Sequence, residues 1–91
     1  MAVTVKIPPQ LRSATGGEAA PQAAGATVGE VLDALYAEHG ELRERVAGDD
    51  GEIRRFVNVF LDGEDIRFLD GLQTPVPDGA ELTILPAVAG G

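Results

Sequence analysis

The sequence predicts an α+β domain in which one main helix packs across one face of a mixed sheet of four or five strands. Segments near both ends of the chain alternate apolar and polar residues with the period of two that is typical of half-buried strands. Between them lies one apolar stripe at helical spacing, and Asp-Gly pairs separate the later strands. Since a single helix covers only one face of such a sheet, one face is expected to stay open. The 91 residues suit one domain, which we predict to span 1–86, followed by a tail, 87–91.

The N-terminal region is predicted to form two strands. VTVKI (3–7) alternates apolar and polar side chains, and Pro8 and Pro9 end this strand because neither residue can donate a ladder hydrogen bond. SATGG (13–17) predicts a turn. EAAPQAA (18–24) predicts only a weak second strand, and its internal proline favours an edge position.

The clearest element is a helix over residues 28–39. Thr27 and Glu30 have capping-box spacing, and His39 in the last turn suits the helix dipole. Gly40 is a natural residue to follow the helix, and ELRERVA (41–47) predicts a short second helical segment. The apolar stripe of the main helix consists of Val28, Val31, Leu32, Leu35 and Tyr36.

The C-terminal half returns to strand periodicity. RRFVNVFL (54–61) alternates, the Asp-Gly pair at 62–63 predicts a hairpin, and DIRF (65–68) is expected to be a short return strand. A loop (69–79) ends in a second Asp-Gly turn and leads to the last predicted strand, ELTIL (81–85).

The side chains offer no conventional active site. The sequence has no cysteine and one histidine, His39, so neither a Cys-His pair nor a convincing Ser-His-Asp triad can be assembled. The acidic segment DGEDI (62–66) lacks the ligand spacing of a calcium loop, and we expect no metal site. A net charge of −8 disfavours nucleic-acid binding. Without a signal peptide or an apolar run of membrane-spanning length, we expect a cytoplasmic protein that does not bind membranes.

The C-terminal Gly-Gly is the remaining candidate for chemistry. The α-carboxylate of Gly91 is ionised at neutral pH and reacts only after activation, for example as an acyl-adenylate. Because Gly90 and Gly91 have no β-carbon, they form a thread narrow enough for a closed nucleotide-binding site. The five residues after Pro86 reach about 17 Å at ~3.4 Å each. The tail is therefore predicted to be mobile and to be inserted into a partner.

The sequence resembles the ubiquitin-like sulfur-carrier proteins, the ThiS and MoaD group, and most closely the CysO type. The resemblance rests on the terminal LPAVAGG after DGAELTI, on FVNVFLDGEDIR and on the opening VTVKIP, and it spans nearly the whole chain. It implies a β-grasp fold, with the first and last strands adjacent in the middle of the sheet. Periodicity alone does not predict that adjacency.

The resemblance also implies a function. An adenylating enzyme related to the ubiquitin-activating enzymes would use ATP and magnesium to adenylate Gly91, and sulfur would then replace AMP to leave a thiocarboxylate. In the CysO type, a PLP-dependent cysteine synthase receives the sulfur on an aminoacrylate formed from O-phosphoserine. An S-to-N acyl shift follows, and a metalloprotease releases cysteine and regenerates the tail. The protein is thus expected to be a co-substrate with no bound cofactor.

Alternatives remain open at this stage. ThiS and MoaD relatives supply sulfur for thiazole and molybdopterin synthesis, and some carriers serve natural-product pathways. The same adenylate would also suit a protein modifier that joins Gly91 to lysine amines. A third reading is a binding module whose Gly-Gly end is incidental.

Partners are expected to dock on the open face of the sheet beside the tail. The opposite parity to the core residues places Phe56, Phe60 and Leu85 there, and exposed apolar side chains grouped in this way mark interaction surfaces. The alternative is that the loop 69–77 folds over them as a second small core. The remaining predicted partner-binding residues are Pro86, Ala87, Val88 and Ala89.

Overall fold

A computed structural model describes residues 2–86 as a five-stranded sheet with two α-helices on one face. The strands are β1 (Ala2–Lys6), β2 (Gln22–Ala24), β3 (Val57–Leu61), β4 (Glu64–Asp65) and β5 (Glu81–Pro86). The helices are α1 (Val28–Glu38) and α2 (Gly40–Val46). Three 3-10 helices span Pro9–Thr15, Ile66–Phe68 and Gly71–Gln73.

The strand order, β2-β1-β5-β3-β4, confirms the β-grasp arrangement. The first and last strands run parallel in the middle of the sheet, with Val5 beside Leu82, and every other pair is antiparallel. β2 lies at one edge, as predicted from Pro21, which directly precedes the strand. Because β1 and β5 are parallel, both end at the same side of the sheet, where β3 begins.

One core fills the space between the sheet and the helices. The predicted stripe of α1 is buried, and so are the alternate strand residues that face it. Those strand residues are Val3, Val5, Ile7, Val57, Val59, Leu61, Leu82 and Ile84. Burial, with a smaller contribution from the Asp33 carboxylate, raises the pKa of the Tyr36 hydroxyl, so this phenol stays neutral.

The start of α1 has the predicted cap. The Thr27 hydroxyl accepts a hydrogen bond from the Glu30 amide (3.2 Å), and the Glu30 carboxylate accepts one from the Ala26 amide (3.0 Å). The return bond thus reaches one residue beyond the Thr27 amide expected of a capping box. The turn before the helix is closely packed, since a β-carbon on Gly25 would lie 2.6 Å from the backbone nitrogen of Val31.

Gly40 directly follows the capping residue of the first helix, as predicted, but it does not adopt the left-handed backbone of a helix stop. α1 ends at Glu38, His39 has a φ of −133°, and Gly40 is the first residue of α2. The reason lies in the next apolar pair: Leu42 and Val46, four residues apart, are both buried in the core. Burying that pair favours an immediate second helix over a left-handed stop. The short helix predicted over 41–47 is confirmed with bounds shifted by one residue.

The return strand predicted over 65–68 is wrong in its bounds. The hairpin turn itself is confirmed, since Asp62 (φ 48°) and Gly63 (φ 91°) both adopt left-handed backbone. β4, however, ends at Asp65. The carboxylate of Asp65 accepts a hydrogen bond from the Arg67 amide (2.9 Å), which turns the chain into a 3-10 helix and buries Ile66.

Two further boundaries differ from the prediction. The region after β1 forms a 3-10 helix, Pro9–Thr15, before the predicted glycine break at Gly16 (φ 66°). Pro86 is the last residue of β5, paired opposite Val57, where the prediction placed the strand end before it. The predicted mobile tail, 87–91, lies outside the described residues. Within residues 2–86, no helix is long and apolar enough to cross a bilayer.

Candidate functional site

The chain leaves the sheet towards its C-terminus from the central strand. β5 is paired on both sides, with β1 and with β3, and its last described residue, Pro86, stands opposite Val57. Ile84, two residues earlier, is completely buried. The last described residues before the tail are thus held by a strand that is hydrogen-bonded on both sides. The predicted reactive and tail residues Ala87, Val88, Ala89, Gly90 and Gly91 lie beyond the described residues.

The three predicted docking side chains lie on or beside the face of the sheet that the helices leave open. Leu85 is 44% exposed and Phe56 is 54% exposed, while Phe60 is half-buried. Leu85 stands opposite Asn58, and Phe60 stands opposite Thr83 two pairs further along the ladder. We call Phe56, Phe60 and Leu85 the apolar patch. Its binding of a partner remains a prediction.

The loop 69–77 does not cover the apolar patch. Leu72 and Val76 pack against the core on the helix side of the sheet. Two backbone hydrogen bonds hold the loop there, from the Val28 amide to the Thr74 carbonyl (3.0 Å) and from the Val76 amide to the Ala26 carbonyl (2.9 Å). The alternative of a second small core over the patch is therefore wrong, because the loop pairs with the start of α1.

Sequence reasoning missed Arg67, which flanks the patch. Its guanidinium donates to the Asn58 side-chain oxygen (2.9 Å), to the Val57 carbonyl (2.8 Å) and to the Arg55 carbonyl (3.2 Å). These bonds occupy the outer edge of β3 beyond the point where β4 stops. The sequence predicts DIRF (65–68) to be a strand, and in a strand Arg67 would be an ordinary member of the ladder with no special role. Phe68, which follows directly, was also missed and is 88% exposed.

The far end of the sheet has a different character. The Asp62 carboxylate accepts a hydrogen bond from the Glu81 amide (3.0 Å), and the Asp65 carboxylate caps the 3-10 helix that follows it. The two aspartates of DGEDI (62–66) thus accept hydrogen bonds from backbone amides, which supports the interpretation of this segment as a hairpin and not as a calcium loop. Among residues 2–86 no group of three or more potential ligands is placed to hold a metal ion.

Together, the strand order and the exposed face define a ubiquitin-like β-grasp protein whose C-terminal strand is central. The chain belongs to the ThiS family, whose family model matches residues 5–91. Like its relatives, it is a small sulfur-carrier or ubiquitin-like protein on which other enzymes act.

Known proteins similar to this chain include sulfur carriers and small archaeal modifier proteins. The sulfur carrier protein CysO of Mycobacterium tuberculosis is 46% identical over 93 residues, covering 100% of both chains. A chain in the crystal structure of the Amycolatopsis orientalis BexX/CysO complex has a TM-score of 0.90 and 48% identity, covering 98% of this chain and 99% of that chain. Small archaeal modifier protein 3 of Haloferax volcanii is 44% identical over 66 residues, 72% of this chain and 71% of that protein.

Proposed function

We propose that this protein carries sulfur as a thiocarboxylate on Gly91. The observation that supports the proposal best is the position of β5, whose last residue, Pro86, lies in the central strand of the sheet beside an exposed apolar patch. This arrangement suits an enzyme that binds the open face of the domain while Gly91 enters the active site of that enzyme. The full-length similarity to CysO supports the same conclusion.

The chemistry takes place in two steps on the terminal carboxylate. One carboxylate oxygen of Gly91 attacks the α-phosphorus of ATP, with magnesium bound by the activating enzyme, and pyrophosphate leaves. A sulfur nucleophile then attacks the acyl carbon of the adenylate, and AMP leaves with the bonding electron pair. If the donor is a persulfide, a reductant must release the product as the thiocarboxylate. The thiocarboxylate is an anionic nucleophile at neutral pH.

The proposed acceptor is a PLP-dependent cysteine synthase. The terminal sulfur adds to an enzyme-bound aminoacrylate, the acyl group shifts from sulfur to nitrogen, and a metalloprotease then hydrolyses the amide to free cysteine and Gly91. The acceptor follows from the likeness to CysO. Synthases of a sulfur-containing natural product or cofactor are the competing acceptors.

Intact-mass measurement tests the carrier function directly. After incubation with ATP, magnesium, the adenylating enzyme and a sulfur donor, the protein should gain the mass that corresponds to replacing one oxygen by sulfur. Because the chain contains no cysteine, alkylation by iodoacetamide at neutral pH should then label the C-terminal peptide alone. The proposal would be contradicted if the mass of this protein stayed unchanged while the same enzyme preparation converted a known carrier protein to its thiocarboxylate.

Gly90→Ala should slow activation without disturbing the fold. The added β-carbon is expected to meet the walls of a site shaped for a bare backbone, which should lower kcat/KM for adenylation by about 100-fold. Gly40→Ala is the matched control, since a β-carbon on Gly40 would meet nothing within 4 Å. Pyrophosphate release measures both variants. A Gly90→Ala protein as fast as Gly40→Ala would rule out the narrow-site argument.

A protein modifier is the second candidate, and the likeness to small archaeal modifier protein 3 favours it. In that case the adenylate is captured by a lysine amine, and an isopeptide bond forms to Gly91 as AMP leaves. Cells that express the tagged protein would then contain covalent conjugates that survive reducing denaturation. The carrier proposal predicts that no conjugates depend on Gly91.

A further inference from the structure

We infer that the guanidinium of Arg67 is a preformed docking group for a carboxylate on the surface of the adenylating enzyme, beside the apolar patch. This inference rests on the proposed function, because it names the chemistry of the partner that must hold the domain while Gly91 reacts. It assigns a recognition role to a residue outside the tail.

The guanidinium is fixed in place before any partner arrives. Both of its terminal nitrogens are engaged, one by the Asn58 side chain and the other by the Val57 and Arg55 carbonyls. These acceptors are neutral, and among residues 2–86 Arg67 makes no ion pair. A guanidinium has five N–H donors, so two remain for an external acceptor. Since its rotamer is already fixed, binding costs little further side-chain entropy.

Arg67 adjoins the apolar patch through a single residue. Asn58 pairs with Leu85 across the β3–β5 ladder and accepts the hydrogen bond from Arg67 on its other side. Charge and patch therefore lie on one surface. A charged group at the border of an apolar contact sets the orientation and the rate of docking, while the apolar side chains supply affinity.

Charge along the sheet supports an acidic partner surface at this end. Arg55 lies two residues before β3, whose first residue pairs with Pro86, the last described residue of the chain. Its neighbour Arg54 is turned towards α2, where its guanidinium donates to the Glu44 carbonyl (3.0 Å). The opposite end of the sheet has acidic residues within 61–65 and 76–81, and one of them, Glu81, is paired with Lys6 of β1 (3.5 Å). A chain with a net charge of −8 thus presents exposed Arg55 and Arg67 near Pro86, and a partner surface rich in carboxylates would bind the domain by this end.

The test compares three variants that each lower the net charge by one. Arg67→Gln removes the guanidinium. Asn58→Asp keeps it, along with both backbone hydrogen bonds, but supplies a carboxylate within the chain that competes with the partner's. Arg43→Gln is the control, because Arg43 is exposed on α2, on the helix side of the sheet. Thermal unfolding verifies that each variant is folded.

Steady-state adenylation should separate the variants. We expect Arg67→Gln and Asn58→Asp to raise the KM for the carrier about tenfold, with kcat and the KM for ATP unchanged and Arg43→Gln like the wild type. Raising the salt concentration should narrow the difference by weakening wild-type docking. An unchanged KM in Asn58→Asp, an equal rise in Arg43→Gln, or a rise in the KM for ATP would each overturn the inference.

A direct binding measurement distinguishes failure of this inference from failure of the proposed function. Surface plasmon resonance with the adenylating enzyme reports docking whether or not sulfur transfer follows. If the wild type binds more tightly than Arg67→Gln but never becomes a thiocarboxylate, the carrier function alone is refuted. If the wild type gains sulfur normally but Arg67→Gln binds the enzyme equally well, the docking role alone is refuted.

Discussion

Conversion of the C-terminal carboxylate into an amide is expected to abolish activation completely. The amide at Gly91 keeps the length and width of the tail but lacks the anionic oxygen that must attack ATP. No adenylate and no thiocarboxylate should form at any protein concentration. Protein prepared by ligation of a synthetic C-terminal peptide, with the unmodified peptide as control, allows the comparison by pyrophosphate release and intact mass.

A shortened tail should fail for a different reason. Without Gly90 and Gly91 the chain still ends in a carboxylate, but that group is about 7 Å short at ~3.4 Å per residue. A displacement far smaller than this costs orders of magnitude in rate. Both altered proteins should keep the unfolding temperature of the wild type, since the domain is predicted to end at residue 86. Sulfur transfer at the normal rate by either protein would refute the central role of the terminus.

Ile84→Ala and Leu85→Ala are expected to have opposite effects although the residues are adjacent. Ile84 is fully buried between the central strands and α1, so its truncation should reduce the free energy of unfolding by about 2–5 kcal/mol. This is a large fraction of the roughly 5–15 kcal/mol that stabilises a typical domain. Leu85 is 44% exposed on the open face, so its truncation should reduce the free energy of unfolding by less than about 1 kcal/mol.

The KM for the carrier in the adenylation reaction should change more in Leu85→Ala than in Ile84→Ala, the reverse of the order expected for stability. Leu85→Ala is expected to raise the KM for the carrier about tenfold, because it removes apolar contact area beside Arg67. Ile84→Ala should keep a near-normal KM at temperatures where it is folded. Urea unfolding and pyrophosphate release measure the two effects. A strongly destabilised Leu85→Ala with unchanged KM would show that the apolar patch serves folding and not docking.

Much of the fold could be predicted from local patterns. The alternation in β1, β3 and β5 and the helical stripe of α1 each give the buried side of an element, because side-chain direction repeats every two or 3.6 residues. Within these elements the buried residues are those the patterns indicated, whereas the burial of Leu11, Ala14 and Ile66 was not predicted. The parallel contact of β1 with β5 was different, since it joins segments more than 70 positions apart and came from the family resemblance alone.

The candidate site divides in the same way. The candidate reactive residue Gly91 could be proposed from the sequence, and strand parity placed Phe56 and Leu85 on the face opposite the core, but their exposure was decided by where the loop 69–77 packs. Arg67 does not follow from the sequence. The place of the Arg67 side chain against β3 depends on where β4 ends. That end is set by the Asp65 carboxylate, which caps the following 3-10 helix, and by the burial of Ile66.

The loop 69–77 shows most clearly what tertiary structure adds. Its composition is compatible with packing on either face of the sheet, and local periodicity cannot choose between them. Backbone hydrogen bonds to Ala26 and Val28 direct it to the helix side, where Leu72 meets α1. The sequence by itself determined which residues are apolar, which face each occupies and that the chain ends in Gly-Gly. Only the folded chain decided which face is covered and which group borders the open one, because those outcomes depend on contacts between distant segments.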